Sequence, residues 1–202
     1  MPGSKAFIAS LVATFALACT LPAAALDLGG HVRDGTVVGL TFGGGWNKIK
    51  FTGPDGDGDS GTETALTGGA RVGWAKSDNL IYSVGMYGWK RSYSQSVTPV
   101  SVTALNFLAE VSWFPRGEGF WLKGGIGGGS LDLTIRLPEG PVIGKKGGWN
   151  YSLGAGYEIR VSDGTAVGIA YDFRYLDIGS LADLESAAST SHNLSLNLHF
   201  YI

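Results

Sequence analysis

From Thr36 to the end of the chain, apolar or aromatic residues recur at every second position. The pattern is clearest in the last segment, where one face carries Leu194, Leu196, Leu198, Phe200 and Ile202, and the other carries Asn193, Ser195, Asn197, His199 and Tyr201. Because successive side chains of a β-strand point to opposite faces, a period of two indicates strands with one apolar and one polar face. The sequence therefore predicts an all-β fold.

Eight segments with this alternation follow one another, at 36–51, 64–76, 80–92, 100–114, 119–134, 147–161, 165–178 and 191–202. A tilted strand needs only about 9–11 residues to cross a bilayer, so each segment is long enough. The connections alternate between short turns, at 77–79, 115–118 and 162–164, and long loops, at 52–63, 93–99, 135–146 and 179–190. In bacterial barrels the short turns are periplasmic and the long loops extracellular. We therefore predict an eight-stranded antiparallel up-and-down transmembrane β-barrel with both termini in the periplasm.

The first residues are typical of a secretory leader. Lys5 supplies a positive charge, residues 6–18 an apolar core, and residues 23–25 a run of alanines suited to cleavage. We predict a cleavable signal peptide at residues 1–25 and an outer-membrane barrel domain at 26–202. An uncleaved helix and lipidation at Cys19 are the alternatives. Cleavage would leave a mature chain without cysteine, which excludes disulfides and thiol chemistry.

The short turns test which face of each strand points outward, because hairpin register determines which residues lie opposite one another. One inside-outside assignment satisfies all three turns. It places a charged set in the lumen: Arg71, Glu110, Lys123, Glu158, Arg160, Asp172 and Arg174. Inward glycines, such as Gly39, Gly69, Gly125 and Gly156, would make room for these side chains.

The predicted lumen charges have to satisfy one another, because a barrel of eight strands is only wide enough for side chains to fill. A four-residue turn at 115–118 would place Glu110 directly opposite Lys123, and we expect a salt bridge between them. The other charged residues would complete a network. We interpret this network as a polar core, and a gated ion path is the alternative.

Aromatic residues concentrate near the predicted strand ends. We expect Trp46, Trp74, Trp113, Phe120 and Trp149 to lie at the membrane interfaces, where amphipathic rings settle. Trp89 and Trp121 have the parity of lumen residues instead. Leu131 and Leu133, after a glycine-rich stretch, also have the parity opposite to the outward face, which predicts a bulge or a strand that rises beyond the membrane.

Motifs for cofactors and metals are weak in this chain. The acidic loop at 55–59 resembles a calcium loop, but Ser60 and Leu66 stand where glycine and glutamate are required. The glycine clusters are not followed by the helix that a dinucleotide site needs. Charge is sparse, with a formal net charge of −2, so no basic face for nucleic acid is indicated. We predict no metal, no cofactor and no nucleic-acid partner.

One histidine keeps an enzymatic hypothesis open. A lipid A deacylase embedded in the membrane would place a histidine and a serine two residues apart on a lipid-facing strand, with an acid nearby. His192 has outward parity, but the residue two positions further is Leu194. A polar histidine near the rim is the simpler interpretation, because the chain offers no positioned nucleophile.

These features together resemble the small outer-membrane β-barrel family that includes OmpA-like and opacity-type surface proteins. The resemblance covers residues 36–202 and rests on the leader, the eight alternating strands and the closing segment 194–202, although Tyr201 and Ile202 follow the usual terminal phenylalanine at Phe200. It implies a Gram-negative outer membrane, contact with outer-membrane lipids and lipopolysaccharide, and insertion by the outer-membrane assembly machinery through the C-terminal strand.

The function expected from this resemblance is that of a non-enzymatic, monomeric envelope protein. Its barrel would present four surface loops for envelope integrity, adhesion or host interaction. A lipid A-modifying enzyme of the same architecture and a narrow pore are the alternatives, and no motif decides between them.

Overall fold

The computed structural model describes residues 33–53, 56–59, 61–93, 100–116, 119–137, 140–181 and 184–202. The predicted signal peptide at 1–25 lies outside these residues. Within the described part of the chain, no helix is long and apolar enough to cross a membrane.

Nine strands in the described residues make up a single sheet: β1 (Gly35–Gly53), β2 (Gly56–Asp59), β3 (Glu63–Ser77), β4 (Leu80–Tyr93), β5 (Val100–Trp113), β6 (Phe120–Leu137), β7 (Gly140–Ser162), β8 (Thr165–Leu181) and β9 (Leu184–Tyr201). Every long strand pairs antiparallel with its neighbours, and β1 also pairs with β9, which closes the sheet on itself. The four-residue strand β2 folds back on the end of β1. The predicted closed, eight-stranded antiparallel barrel is confirmed, with β2 as an addition.

The tilt of the strands follows from the register of the ladders. Stepping through paired residues around the barrel, from Gly39 on β1, leads to Ser189 on β9, whereas Gly39 itself pairs with His199. This offset of ten residues is the shear of the barrel, and it requires the strands to tilt by about 35–45° from the barrel axis.

The outward face forms an apolar band of the height expected for a membrane protein. On β7 every outward residue from Trp149 to Ile159 is apolar or aromatic. Ten residues that rise about 3.3 Å each, tilted by about 40°, span about 25 Å along the axis. This is close to the height of the apolar band in outer-membrane barrels, about 25 Å.

The barrel has a short-turn end and a long-loop end, and the long-loop end differs from the sequence-based expectation. At the long-loop end, the loops predicted at 135–146 and 179–190 are largely strand, since Leu137 pairs with Gly140 and Leu181 with Leu184. Alternation of apolar and polar residues fades there, because a ladder above the membrane has water on its outer face. The predicted loop 93–99 lies, apart from Tyr93, outside the described residues.

The glycine-rich part of β6 does not form the bulge considered from the sequence. Its ladders with β5 and β7 run without a register shift across the described residues. Leu131 instead points into the barrel and is buried. Its parity is therefore that of an inward residue, and the inside of the barrel becomes apolar at this level.

The apolar band predicts a depth-dependent penalty for charge on β7. Leu153 lies outward in the middle of the band and Val161 lies outward at its short-turn edge. We expect Leu153→Arg to lower the free energy of unfolding by about 2–4 kcal/mol and Val161→Arg by about 0–1 kcal/mol. Urea unfolding of protein folded into phosphocholine vesicles measures both values. Equal losses from the two variants would contradict the assignment of the band.

Candidate functional site

The lumen holds an ionic cluster, here called the central cluster, at about half the height of the barrel. Lys123 Nζ lies 2.9 Å from Asp172 Oδ1 and 3.2 Å from Glu110 Oε1. Arg174 Nη2 pairs with the other oxygen of Asp172 at 3.3 Å, and the Tyr87 hydroxyl donates to Glu110 Oε2 at 2.5 Å. Two carboxylates and two cations thus offset one another in a site with almost no solvent exposure.

The ring of Tyr87 contacts both cations of the central cluster. Lys123 Nζ is 5.0 Å from the ring centroid, and the guanidinium carbon of Arg174 is 4.3 Å from it. Two glycines make room for this ring, because a Cβ at Gly69 or Gly85 would come within 2.3 or 2.5 Å of it. These positions cannot carry a side chain without displacing the ring, and with it the hydroxyl that binds Glu110.

A second group, here called the Glu158 cluster, lies at the short-turn end. Glu158 Oε1 accepts hydrogen bonds from Arg33 Nη2 at 2.9 Å and from the Tyr201 hydroxyl at 2.8 Å. Its Oε2 lies 2.8 Å from His199 Nδ1, and His199 Nε2 lies 3.1 Å from Arg71 Nη2. Because arginine only donates, Nε2 has to accept, so the imidazole is neutral and Nδ1 donates to the carboxylate.

Arg33 comes from the segment that precedes β1 and reaches across the short-turn mouth. Its guanidinium lies 3.8 Å above the centroid of the Phe114 ring at the end of β5. Its Nη1 donates to the Asp78 carbonyl at 2.9 Å, in the turn between β3 and β4. The residue therefore connects the N-terminal segment, two turns and β7, and it closes this mouth together with the buried rings of Phe114 and Trp121.

The lumen at the long-loop end is packed with apolar side chains, here called the upper apolar cluster. Its buried members are Ala65, Trp89, Val102, Ala104, Leu131, Leu176, Ile178 and Ala187, with Ile49 and Leu133 packed against them. Above them, Arg91 Nη1 donates to Asn47 Oδ1 at 3.5 Å. From the short-turn mouth to the long-loop end, the lumen therefore contains first the two ionic clusters and then the upper apolar cluster.

The structure corrects two details of the predicted lumen network. Glu110 pairs with Gly125, and Lys123 pairs with Ser112, so the salt bridge is diagonal and the register predicted from a four-residue turn is wrong by two residues. The first ladder pair beyond that turn is Trp113 with Leu122, which makes the connection wider than expected.

Among the described residues, Arg160 forms no ion pair with the carboxylates of the network and contacts it only through the Tyr201 ring. Its Nη1 donates to the Asp163 carbonyl within the turn between β7 and β8, at 3.0 Å, and its guanidinium lies over the Tyr201 ring. The residue has inward parity, but it lies so close to the strand end that the turn supplies its partners. The other predicted members, Arg71, Glu110, Lys123, Glu158, Asp172 and Arg174, are all buried in the lumen.

The predicted interface aromatics all point outward and are exposed on the barrel wall. Trp74, Trp113 and Phe120 lie near the short-turn end of their strands. Trp46 and Trp149 lie toward the long-loop end, where they pair with Thr64 and Gly128. Trp89 and Trp121, which have lumen parity in the sequence, are buried inside.

His192 lies on the outer wall among aromatic rings. Its ring stacks on Trp46 with centroids 5.6 Å apart, and its edge meets Phe173 at 5.3 Å. Its Nδ1 is 2.6 Å from the Tyr171 hydroxyl. This surrounding differs from the serine and carboxylate that a deacylase would require. Among the described residues, no group of three His, Cys, Asp or Glu side chains is arranged to hold a metal ion.

With this geometry, the chain can be compared with known proteins. A family model described as outer membrane protein beta-barrel domain matches residues 11–200. The chain belongs to this family. Membership places the barrel in the outer membrane of a Gram-negative bacterium. The resemblance inferred from the sequence is thereby confirmed.

Two solved structures of outer-membrane proteins are similar to this chain. Neisserial surface protein A (NspA) has 13% sequence identity and a TM-score of 0.54, with 86% of this chain and 100% of that chain covered. Ail, the attachment invasion locus protein of Yersinia pestis, in complex with the heparin analogue sucrose octasulfate, has 13% identity and a TM-score of 0.53, with 81% of this chain and 99% of that chain covered. At these identities the likeness shows the fold. No curated protein matches the sequence.

Three lumen residues, Tyr87, Tyr201 and Arg33, are missing from the network predicted from the sequence. Tyr87 and Tyr201 have inward parity, so the alternation already pointed to them, and only the choice of charged residues left them out. Arg33 precedes the first alternating segment, and its position carries no periodic signal.

The central cluster predicts a large effect from removing its one lysine. Lys123→Met leaves Glu110 and Asp172 without their shared cation, and we expect a loss of about 3–5 kcal/mol in the free energy of unfolding. Adding Glu110→Gln should recover most of it, because the remaining carboxylate, Asp172, is then balanced by Arg174. The control is Lys145→Met, whose ion pair with Asp132 is on the surface and is worth about 0–1 kcal/mol. Similar losses for Lys123→Met and Lys145→Met would contradict the buried network.

The Glu158 cluster predicts coupling between residues far apart in sequence. Arg33→Ala removes three hydrogen bonds of a charged guanidinium, two to Glu158 and one to the Asp78 carbonyl, and we expect a loss of about 1.5–3 kcal/mol in the free energy of unfolding. In a double-mutant cycle with Glu158→Gln, the coupling energy should reach about 0.5–3 kcal/mol. Lys145→Ala, at the opposite end of the barrel, is the control and should couple weakly. Additive losses from Arg33→Ala and Glu158→Gln would show that the contact carries no stability.

Proposed function

We propose that the protein is a non-enzymatic integral outer-membrane protein whose long-loop end faces the outside and whose termini lie in the periplasm. Its barrel serves as a filled, rigid support for the structure that rises above the membrane. The observation that carries this proposal is the packing of the lumen. Ionic clusters occupy its middle, and the upper apolar cluster occupies its long-loop end. A narrow pore would need a continuous wet path through this end, and buried Trp89 and Leu131 fill it.

The surface that such a protein offers to partners consists of projecting strands more than of loops. β6 and β7 continue to Leu137 and Gly140, eight or more residues beyond the level of Trp149, and β1 carries β2 at its end. A projecting ladder holds its side chains in a fixed arrangement, so contacts made there cost less ordering entropy than contacts made by a flexible loop. Adhesion, host interaction and envelope integrity are the roles that this surface would support.

The membrane environment of the proposed protein follows from its outer wall. Trp74, Trp113 and Phe120 would lie at the periplasmic interface, and Trp46 and Trp149 at the outer one, in contact with lipopolysaccharide. The C-terminal strand β9 would be the segment that the outer-membrane assembly machinery handles. The barrel would act as a monomer, because its edges β1 and β9 are already paired with each other.

The proposal predicts the behaviour of refolded protein in two assays. In planar bilayers we expect no steady single-channel conductance from the native protein, because the upper apolar cluster excludes water. The combined variant Trp89→Ala and Leu131→Ala, which empties this cluster, should raise ion leakage. Incubated with lipid A, the native protein should leave its mass unchanged, as should His192→Ala.

Three outcomes would contradict this assignment. A steady native conductance would indicate a pore, and a lipid A mass change that disappears in His192→Ala would indicate an enzyme. A deletion strain with unaltered surface binding and unaltered detergent resistance would remove the proposed role at the surface. The leaky variant serves as the positive control for the conductance measurement.

A further inference from the structure

Two ladders of the barrel stop at the level of the outer aromatic residues, although their strands continue. Within the described residues, the last pair between β3 and β4 is Leu66–Lys90 and the last pair between β7 and β8 is Trp149–Asp177. The neighbouring ladders rise further, to Leu137–Gly140 between β6 and β7 and to Thr52–Ser186 between β1 and β9. Above this level the wall therefore divides into two lobes. One contains β8, β9, β1, β2 and the start of β3, and the other contains β4, β5, β6 and β7.

The bend of β8 has an identifiable cause. Gly179 has a φ of +64°, and the β8–β9 ladder shifts register on both sides of this residue. The Gly179 N–H donates to Asp177 Oδ1 at 3.1 Å, which holds the bend. Because a left-handed residue cannot continue a regular strand, β8 turns away from β7 just above their last pair. Gly148 still touches β8, and residues 140–147 of β7 form what is here called the β7 edge.

The backbone groups of the β7 edge that face the gap can be assigned from the ladder on its other side. Glu158 N donates to the Gly119 carbonyl, so the even residues of β7 direct their backbone groups toward β6. The odd residues Ile143, Lys145 and Gly147 consequently direct N–H and C=O groups into the gap. Pro141 fits this phase, because a proline is tolerated where no ladder donor is needed. The stretches of β3 and β4 beyond their last mutual pair, 63–65 and 91–93, are much shorter.

We propose that the β7 edge binds an extended, acidic polypeptide segment of another protein, which adds to the sheet as a further strand. Only a second backbone can pair with a row of alternating N–H and C=O groups, so the ligand is a polypeptide and not a lipid. Lys145 and Lys146 outnumber Asp132, the anion on β6 that pairs with Lys145 at 3.6 Å, so the edge keeps a positive charge, and the Lys145 side chain is 65% exposed. The same lysines disfavour pairing with a second copy of the chain, because like charges would meet across the new ladder. The inference deepens the proposed surface role and rests on it.

Hydrogen exchange tests whether this edge is available. In native protein held in nanodiscs, the amides of Ile143, Lys145 and Gly147 should exchange fast, and those of the even residues paired with β6 slowly. Protection of the three odd amides in the free protein would overturn the proposal, since the edge would already be occupied by β8 or by a second copy. A dimer detected by light scattering, with these amides protected from exchange, would overturn the proposal for the same reason.

Binding is tested with defined probes, two eight-residue peptides that alternate valine and glutamate in the two possible phases. We expect one of them to bind, to protect the three odd amides and to weaken as salt is raised. A version of the same peptide methylated on its pairing amides should not bind. Failure of both phases to bind, or equal binding of the methylated peptide, would overturn the proposal.

The decisive variant is Lys145→Pro, which removes an N–H that faces the gap and leaves the β6–β7 ladder intact. It should weaken peptide binding by about tenfold or more, because it removes hydrogen bonds at the centre of the edge. Lys145→Ala keeps the N–H, loses only the charge, and should weaken binding less. Equal effects of the two variants would mean that only the charge of Lys145 contributes to peptide binding, and this would overturn pairing through the backbone. Conductance and lipid A mass are unaffected by these changes, so this test can fail while the proposed function stands.

Discussion

The pairing of β1 with β9 is the interaction on which the rest of the structure depends. Inside lipid, a backbone N–H or C=O has no water to bind, so a sheet with two open edges would leave two rows of unpaired groups. Sixteen residues of β1, from Val37 to Thr52, meet β9 and remove both edges at once. The shear that accompanies closure tilts the strands and sets the height of the apolar band, so the lipid-facing surface and the ladder follow from one constraint.

Closure also determines what the lumen contains. Once the apolar residues of each strand face lipid, the alternate residues have to fill a narrow interior. The chain solves this with charges of opposite sign that bind one another around Lys123 and Glu158, and with glycines where rings need room. At the long-loop end, the inward residues become apolar and pack as the core of a small soluble protein would. The barrel thus has a polar core within the membrane and an apolar core that begins at the level of the outer aromatic residues.

The sequence predicts the wall of the barrel well, because the parity of a side chain on a strand depends only on its position in the chain. It therefore predicts which way Trp149, Lys123 and Leu196 point. Register across a turn is harder, as Glu110 and Lys123 show, because one wider turn moves every pair by two residues without changing parity. The sequence does not predict the strands above the membrane, since water on their outer face removes the alternation. It does not predict the position of Arg33 either, because this residue belongs to no strand and its partners are distant in sequence.

The position of Glu158 has a consequence for the order of assembly. Its partners come from the segment before β1 and from the last strand, so they converge on this carboxylate only when the two ends of the chain have met. A barrel that is still open carries a buried anion with few partners, whereas a closed barrel neutralises it. Glu158 thereby stabilises the closed barrel relative to any partly formed intermediate. The final step of folding becomes harder to reverse than the steps before it.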